Sequence, residues 1–466
     1  MSTLAGLKGV LERPLVHRVL TFVGAGLALA LITGPDGSQA KPWSGIHNSL
    51  LTGRVVRFVL LPALLAVLVD VARSDRASVA RSGVASARVA VGGVWSHQRV
   101  RQGLYVAFAV AILVIPHHLS NFWLTVTVDQ IGIYVLLAMG LNVVVGFAGL
   151  LDLGFIAFYA IGAYTTAYFT GKLHDANFHK LLPPIVLNPF FIFPIAIFVA
   201  MLAGLLLGAP TLRLRGDYLA IVTLGFGEIV RITAVNTDKV GGPNGVFGLP
   251  HFSVNLWFVH YNWGLSQIPY YYLLVVVVGL VWFLLHRLDD SRIGRALTAI
   301  REDEVAAEAS GVPTLKFKLM AFAIGASTSG FAGVIYASKV GSFTPDNFVL
   351  IQSLLVLVMV IFGGMGSIPG VMLGAFVLGW LPNYLRDSHF GLPAIKPTDR
   401  FIYFGLLLIV MMIFRPQGLL PSKRRAREIA LEENPDLALE GSFGDSPSGV
   451  NGDSPHGGTL ANGGRE

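Results

Sequence analysis

Long apolar runs, separated by short loops that carry the charge, dominate the chain and predict helices that cross a membrane. Several runs are shorter than the roughly 20 residues that a straight span needs, so we expect broken or re-entrant helices among them. The pattern predicts an all-α polytopic membrane protein with about ten to twelve transmembrane helices. The apolar runs cover residues 19–33, 55–72, 103–115, 122–147, 150–170, 185–207, 218–235, 270–285, 319–337, 349–362, 371–385 and 401–414.

Arginine and lysine collect in alternate loops, which predicts the orientation of the chain. Between the second and third runs, residues 73–101 carry six arginines opposed by one aspartate, so this loop is expected in the cytoplasm. Alternating sides from there places the loop at residues 116–118 outside and the arginine-rich segments 287–301 and 415–427 inside. Both termini are therefore predicted to be cytoplasmic.

Composition supports the membrane prediction and limits the kinds of active and metal sites that the chain can form. Hydrophobic residues make up 54% of the 466 positions and charged residues only 13%, against about 25% charged in soluble domains. The absence of cysteine excludes disulfides, thiolate metal sites and a cysteine nucleophile. No G-x-x-x-x-G-K-[ST] phosphate loop occurs, so we expect that this chain neither hydrolyses ATP nor binds a cofactor. The net charge of +7 belongs to the loops and does not imply a nucleic-acid partner.

Three regions follow from these patterns. Residues 1–102 are predicted to form an N-terminal extension with two spans and a basic cytoplasmic loop, residues 103–421 the membrane core, and residues 422–466 a disordered cytoplasmic tail. Ser38-Gln39-Ala40, after the first run, has the small-x-small form of a signal-peptidase site. A cleaved signal and an uncleaved first span both fit, and the long basic region before the run favours the span.

One compact charged stretch, residues 290–313, separates two long apolar runs near the middle of the chain. Ser291 is a good N-cap, and the apolar residues after it fall on one face at helical spacing. A second short helix is expected over about 302–310, ended by Gly311 in a left-handed conformation. The pair is either a solvated loop resting on its own membrane domain or a docking element for a second protein that drives the membrane part.

Ionisable residues inside the spans are the next candidates, because each costs roughly 2.5–3.5 kcal/mol at mid-helix on insertion scales. Glu228 and Arg231 stand three positions apart, so they can neutralise each other on one helix. They form either a structural pair or a polar patch that lines a route for a zwitterionic solute. Asp152 either serves such a route or caps the helix after the glycine turn. Asn142 and Thr223 are weaker candidates for the same route.

Glycine-dense turns mark two further features. The turn at 241–245, on the predicted outer side, contains Pro243 and Asn244 and has turn chemistry without a catalytic group. An apolar run, a glycine-dense turn and another apolar run occur around residues 146–149 and again around 363–366. This weak internal repeat places both of its turns on the predicted cytoplasmic side.

Five stretches of the chain, taken in order, carry a family resemblance. They are GLNVVVGFAGLLDLG at 140–154, RGDYLAIVTLGFGE at 215–228, GPNG at 242–245, the segment 294–311, and FGGMGS at 362–367. Together they resemble the LivM-type permease of branched-chain amino-acid ABC importers, over about residues 103–421. The resemblance implies a permease subunit in a bacterial cytoplasmic membrane. Its implied partners are a paralogous permease, two cytoplasmic ATPase subunits that use the ATP, and an extracytoplasmic amino-acid-binding protein.

The resemblance also implies roles for particular residues. The segment 291–311 would be the coupling loop that rests in a groove of an ATPase. Such loops resemble E-A-A-x-x-x-G, whereas here Val305 takes the leading position and Glu304 stands one position earlier. The coupling candidates are Arg295, Val305, Ala306, Ala307 and Gly311; the translocation-path candidates are Asn142, Asp152, Thr223 and Glu228; the external-loop candidates are Pro243 and Asn244.

Other functions stay open on the sequence. A urea or short-amide importer permease would share the same fold, since pore selectivity cannot be read from one sequence. An ion-coupled secondary transporter would need no ATPase, but it would require more buried acids than Asp152 and Glu228 and would leave the segment 291–311 unexplained. An intramembrane enzyme is disfavoured because no convergent Ser/His/Asp or metal constellation is present.

Overall fold

A computed structural model of the chain describes residues 113–173, 187–211, 217–256 and 259–386, together with single positions between 405 and 420. The N-terminal extension (1–102) and the tail (422–466) lie outside the described residues. The predictions about their spans, the signal-peptidase-like site and the region boundaries therefore stay predictions.

The described part is built almost entirely from α-helices, which confirms the predicted fold class. The helices are α1 (Asn121–Phe147), α2 (Ile156–Phe169), α3 (Pro189–Thr211), α4 (Asp217–Asn236), α5 (Gln267–Asp290), α6 (Arg292–Glu302), α7 (Glu304–Ala309), α8 (Thr314–Val340), α9 (Leu350–Gly363) and α10 (Ile368–Arg386). The strands are β1 (Val246–Phe247), β2 (Ser253–Leu256), β3 (Val259–Asn262) and β4 (Ser342–Phe343).

Six of the described helices are long and apolar enough to cross a membrane: α1, α3, α4, α5, α8, and α9 together with the short turn before it. The apolar helix Ile368–Tyr384 is shorter. The protein is therefore a multi-pass membrane protein, whereas the predicted total of ten to twelve spans also counts runs outside the described residues. In the run 150–170 the helix begins only at Ile156, so α2 is shorter than a straight span needs.

Helix α8 lies at the centre of the bundle and packs against α1, α2 and α3. Small residues permit this close approach: a Cβ at Gly162 would lie 2.6 Å from the carbonyl oxygen of Gly330, and one at Gly333 would lie 2.5 Å from that of Tyr159. In α1, 83% of the most apolar window is buried within the chain, against 28% in α4 and 33% in α3 and α5. Helices α3, α4 and α5 thus leave most of their apolar surface to lipid or to another protein.

Helix α1 contains two widened, π-helical turns, at Thr127–Ile131 and at Asn142–Phe147. Such turns are rare and are often found at functional sites. The first carries Asp129 and the second begins at Asn142, so each widened turn coincides with a polar side chain inside an otherwise apolar span.

The long connection between α4 and α5 contains short strands, which the sequence did not predict. β1 pairs antiparallel with β4, with Val246 opposite Phe343, and β2 pairs with β3 in a hairpin. Because β4 directly follows α8, the first pairing joins the predicted outer loop to the end of the central helix.

Candidate functional site

The first part of the site is the amphipathic pair α6 and α7, which the sequence predicted over 291–311. The side chain of Ser291 accepts a hydrogen bond from the amide of Gly294 (3.2 Å), and Leu297 and Ile300 are buried, so the predicted cap and apolar face are confirmed. A Cβ at Gly294 would lie 2.3 Å from the carbonyl oxygen of Leu288. Glycine here therefore allows α6 to fold back tightly against the end of α5.

Helix α7 begins two residues later than the sequence predicted. Asp303 is its N-cap, and its carboxylate accepts hydrogen bonds from the amides of Val305 (2.9 Å) and Ala306 (3.0 Å). Gly311 ends the helix with a φ of +84°, and the amide of Val312 donates to the carbonyl of Ala307 (3.0 Å). This Schellman arrangement confirms the predicted left-handed glycine.

The five predicted coupling residues divide into two groups. Arg295, Val305, Ala306 and Gly311 are exposed, and Val305 shows 63% of its surface. Ala307 is 5% exposed and packs against the chain's own helices, because it lies on the apolar face of α7. Four of the five candidates therefore lie on the exposed surface of α6 and α7 and at the end of α7, and one lies beneath it.

Two contacts join α6 and α7 to the membrane helices. The guanidinium of Arg301, at the end of α6, donates to the carbonyl oxygen of Gly146 in the second widened turn of α1. The carboxylate of Glu304 pairs with the ammonium of Lys318 in α8 at 2.6 Å, and the Lys318 side chain is 5% exposed. The acid that stands one position early in the coupling motif therefore makes an ion pair within its own chain.

The two glycine-dense turns of the internal repeat lie side by side. The side-chain oxygen of Asn142 accepts a hydrogen bond from the amide of Gly366 at 2.9 Å. Gly366 has a φ of +82°, and a Cβ there would lie 3.0 Å from the guanidinium of Arg301 and 3.3 Å from the carbonyl oxygen of Gly146. Asn142, Gly146, Arg301 and Gly366 thus form one junction, called the inner junction below, between α1, α6 and the α9–α10 turn.

Asp152 and Thr223 meet where the segment 148–155 touches α4. Asp152 is fully buried; one of its oxygens accepts from the amide of Gly154 (2.9 Å), and the other has no hydrogen-bond partner among the described residues. The hydroxyl of Thr223 accepts from the amide of Leu153 (3.1 Å). Asp152 does not cap α2: the hydroxyl of Ser353 in α9 accepts from the first amide of that helix, at 3.1 Å.

Glycines bring α4 into direct contact with this segment. A Cβ at Gly154 would lie 1.8 Å from the carbonyl oxygen of Thr223, and one at Gly227 would lie 3.2 Å from the Cα of Gly154. The two backbones therefore touch without any intervening side chain. Gly225, on the same helix, has open space around it.

The predicted pairing of Glu228 with Arg231 is confirmed, at 2.5 Å between Nη2 and Oε1. Arg231 also pairs with Asp346 at 3.2 Å, and Asp346 lies in the turn Pro345–Phe348 before α9. The Asp346 side chain is 78% exposed and that of Glu228 is 38% exposed. Arg231 thus links α4 to a turn on the predicted outer side. Helical spacing predicts the pairing with Glu228 but gives no sign of Asp346, which lies on another element.

The external-loop candidates Pro243 and Asn244 are exposed in the short turn Gly242–Asn244. Gly245, with a φ of +80°, lies against β4: a Cβ there would be 2.2 Å from the carbonyl oxygen of Phe343. The turn is therefore held against the end of α8, while its two candidate side chains remain available to a partner.

Sequence reasoning missed two charged residues. Asp129 lies in the first widened turn of α1, with one carboxylate oxygen buried and without a hydrogen-bond partner. Lys339 is 2% exposed, one residue before the end of α8. The signal was present: Asp129 is the one Asp, Glu, Lys or Arg in the apolar run 122–147, and Lys339 follows the run 319–337 by two positions.

Comparison with known proteins agrees with the fold and the motifs. Residues 124–414 match the family model described as branched-chain amino acid transport system / permease component. The chain is 42% identical over 311 residues to the high-affinity branched-chain amino acid transport system permease protein LivM of Escherichia coli (strain K12), covering 63% of this chain and 68% of that protein. It is 40% identical, with the same length and coverage, to the corresponding LivM protein of Salmonella typhimurium (strain LT2). It is 26% identical over 323 residues to the probable LivM permease of Methanocaldococcus jannaschii, covering 63% of this chain and 91% of that protein. No solved structure matches the chain significantly.

Proposed function

The chain belongs to the family of branched-chain amino acid transport system permease components, and on that premise we propose that it is a permease subunit of an ATP-driven importer for branched-chain amino acids. It forms half of the translocation path in a bacterial cytoplasmic membrane, with both termini in the cytoplasm. It binds no cofactor and hydrolyses no ATP; partner subunits use the ATP.

The proposed partners are a paralogous permease, two cytoplasmic ATPase subunits and an extracytoplasmic amino-acid-binding protein. Exposed apolar surface supports the need for partners within the membrane, since α3, α4 and α5 bury only about a third of their apolar windows in the chain itself. Pro243 and Asn244 are exposed on the predicted outer side and are proposed to face the binding protein.

One observation carries the coupling assignment: an exposed surface on α6 and α7 is bonded to two membrane helices. Val305 and Ala306 face outward, while Arg301 and Glu304 reach α1 and α8. An element held at two points moves together with the helices that it contacts. Val305, which is 63% exposed, gives this surface an apolar side chain that a docked ATPase would cover.

We propose the following cycle. ATP binding closes the two ATPases, which moves α6 and α7 as one body. The Arg301 contact and the Glu304–Lys318 ion pair transmit the movement to α1 and α8, and the spans rock between outward-open and inward-open states. Asn142, Asp152, Thr223 and Glu228 are proposed to border the path that opens and closes.

The experiment is reconstitution. The chain, purified in mild detergent with its partners and placed in proteoliposomes, is expected to carry radiolabelled leucine, isoleucine and valine. This uptake is expected to require both ATP and the binding protein. Uptake of urea in place of these amino acids would replace the substrate class and keep the importer mechanism. Uptake by the chain alone, driven by an ion gradient, would refute the proposal.

A further inference from the structure

Helix α4 has two faces with different surroundings. Thr223 and Gly227 lie on the face that contacts the segment 148–155. The opposite face is open: Ile221 is 64% exposed and Ile232 is 46% exposed. Its residues follow one another every three or four positions, which is the spacing of a single stripe along a helix. They are Ile221, Gly225, Glu228 and Ile232, and they are called the α4 stripe below.

The α4 stripe has a gap near its centre. A Cβ at Gly225 would meet no atom of the chain within 4 Å. The side chains of Ile221 and Glu228 lie one turn before and one turn after this glycine. In membrane proteins, a glycine on an open helix face allows the backbone or a side chain of a second helix to approach closely. The stripe therefore has the form of a helix-packing surface.

Glu228 adds an unfilled hydrogen-bonding position to the same stripe. Its Oε1 accepts from Nε (3.0 Å) and Nη2 (2.5 Å) of Arg231, whereas its Oε2 receives no hydrogen bond from the described part of the chain. The side chain is 38% exposed and lies eight positions before the end of α4, about 12 Å along the helix. Inside a bilayer no water replaces a missing donor, so an open carboxylate oxygen here is costly. A neighbouring protein that supplies a donor would remove this cost.

The exposed faces of α3 and α5 differ from the α4 stripe. Neither α3 nor the part of α5 at 267–285 contains Asp, Glu, Lys or Arg. Their exposed residues are large and apolar, as in Phe198 (59%) of α3 and Val276 (67%) of α5. Faces of this kind can lie against lipid, because they place no charged group in the hydrocarbon. Of these three open spans, α4 is therefore the one whose surface requires a protein neighbour.

We propose that the α4 stripe is the surface on which this chain meets the second permease subunit of the importer. A span of that subunit packs along the stripe, enters the gap at Gly225 and donates a hydrogen bond to Oε2 of Glu228. A partner outside the membrane does not fit, because the stripe runs along a transmembrane helix. The inference rests on the proposed function, which supplies a second permease in the same membrane, and it leaves the open faces of α3 and α5 to lipid.

The first test fills the gap. Gly225→Leu adds a side chain that has room within its own chain but would overlap the proposed neighbour. Gly279→Leu is the matched control, because Gly279 lies in α5 and its Cβ position is equally open. Both variants are purified from cells that express the two permeases without the ATPases, so that only contacts between the permeases are measured.

Gly225→Leu is expected to lower the amount of second permease that co-purifies about fivefold or more, because it overpacks the interface. Gly279→Leu is expected to leave that amount unchanged. Thermal unfolding of this chain in detergent should be the same for both variants, since neither leucine is blocked by its own chain. Normal co-purification with Gly225→Leu would overturn the inference.

The second test identifies the neighbour in the complete importer. Photoreactive benzoylphenylalanine in place of Ile221 or Ile232 is expected to cross-link to the second permease on illumination in membranes. The same group in place of Phe198 or Val276, which are also exposed, is expected to give adducts with lipid. Adducts of positions 221 and 232 with another copy of this chain, with another segment of the same chain, or with lipid alone would overturn the inference.

The outcomes separate this inference from the proposed function. Leucine uptake by an importer whose positions 221 and 232 give no adduct with the second permease would refute the inference alone. The expected adducts in an importer that carries no leucine would refute the proposed substrate and keep the interface. Absence of any second permease from the purified importer would refute both.

Discussion

Single residues in this protein act mainly by joining segments that are far apart in sequence. Arg231 is the clearest example, because its guanidinium serves two carboxylates on different elements, Glu228 in α4 and Asp346 before α9. The two partners differ in their surroundings: Glu228 is the less exposed and lies within a span, whereas Asp346 is largely in solvent. Replacing Glu228 and replacing Asp346 should therefore change transport to different extents.

We expect Glu228→Gln to reduce leucine uptake more than Asp346→Asn does. Loss of Glu228 leaves Arg231, inside an apolar helix, with only an exposed partner. Loss of Asp346 removes an exposed ion pair worth about 0.2–1 kcal/mol. Initial rates of uptake in proteoliposomes, at equal amounts of assembled importer, measure the difference. Equal rates in the two variants would mean that the pair has only a structural role.

Gly154→Ala should destabilise the protein, by about 1–3 kcal/mol, because its added methyl group would meet the backbone of α4. Gly225→Ala is the matched control: it is also a glycine of this region, on α4 itself, but nothing lies within 4 Å of its Cβ position. Thermal unfolding in detergent, followed by gel filtration, compares the two. Equal stability would show that the contact at Gly154 is looser than the structure indicates.

At the scale of the secondary-structure elements, local chemistry sets where each helix begins and ends. Contacts with distant parts of the chain set where each helix lies. Within the described residues, the sequence predicted the ends of the apolar helices to within about six residues, because an apolar run in a bilayer has few alternatives to a helix. It placed the start of α7 two residues early, because Asp303 competes for the cap position and prevails by bonding two amides. The second widened turn of α1 and the strand pairing could not be predicted from local patterns.

Substitutions at Gly311, which ends α7, test the proposed role of this helix in coupling. Its φ of +84° excludes proline, while nothing lies within 4 Å of its Cβ position, so the backbone alone limits substitution. We expect Gly311→Pro to abolish uptake while the protein still inserts into the membrane. Gly311→Asn should retain most of the uptake, because asparagine tolerates the left-handed conformation. Normal transport by Gly311→Pro would remove α7 from the coupling mechanism.

At the scale of the whole molecule, long-range contacts join the predicted cytoplasmic element to the interior, and these were the hardest features to predict. The contact of Arg301 with Gly146 spans 155 positions, and that of Asn142 with Gly366 spans 224. The sequence showed both glycine turns and the charged segment, but only the fold shows that they meet at the inner junction. The pairing within α4 was predictable because its two residues are one helical turn apart.

The chain has no cysteine, so the orientation of the protein in the membrane can be tested by labelling introduced cysteines without background labelling of this chain. Single cysteines at Arg295 and Gly311 are expected to react with a membrane-impermeant maleimide only from the cytoplasmic side. Cysteines at Pro243 and Asn244 should react only from outside. All four positions are exposed, so accessibility within the protein does not limit labelling. Labelling of residue 295 in intact cells would reverse the topology and contradict the coupling assignment.

Where α4 crosses the segment 148–155, Gly154 and Gly227 place one backbone directly on the other. Packed helices ordinarily resist rotation because the ridges of side chains on one lie in the grooves of the other. At this crossing the restraint is more direct: the backbones touch at Gly154 and Gly227, the amide of Leu153 donates to the hydroxyl of Thr223, and the Phe158 and Phe226 rings pack together. Any change in the angle between α4 and this segment must therefore break a hydrogen bond and separate two rings, so the crossing holds the two elements together.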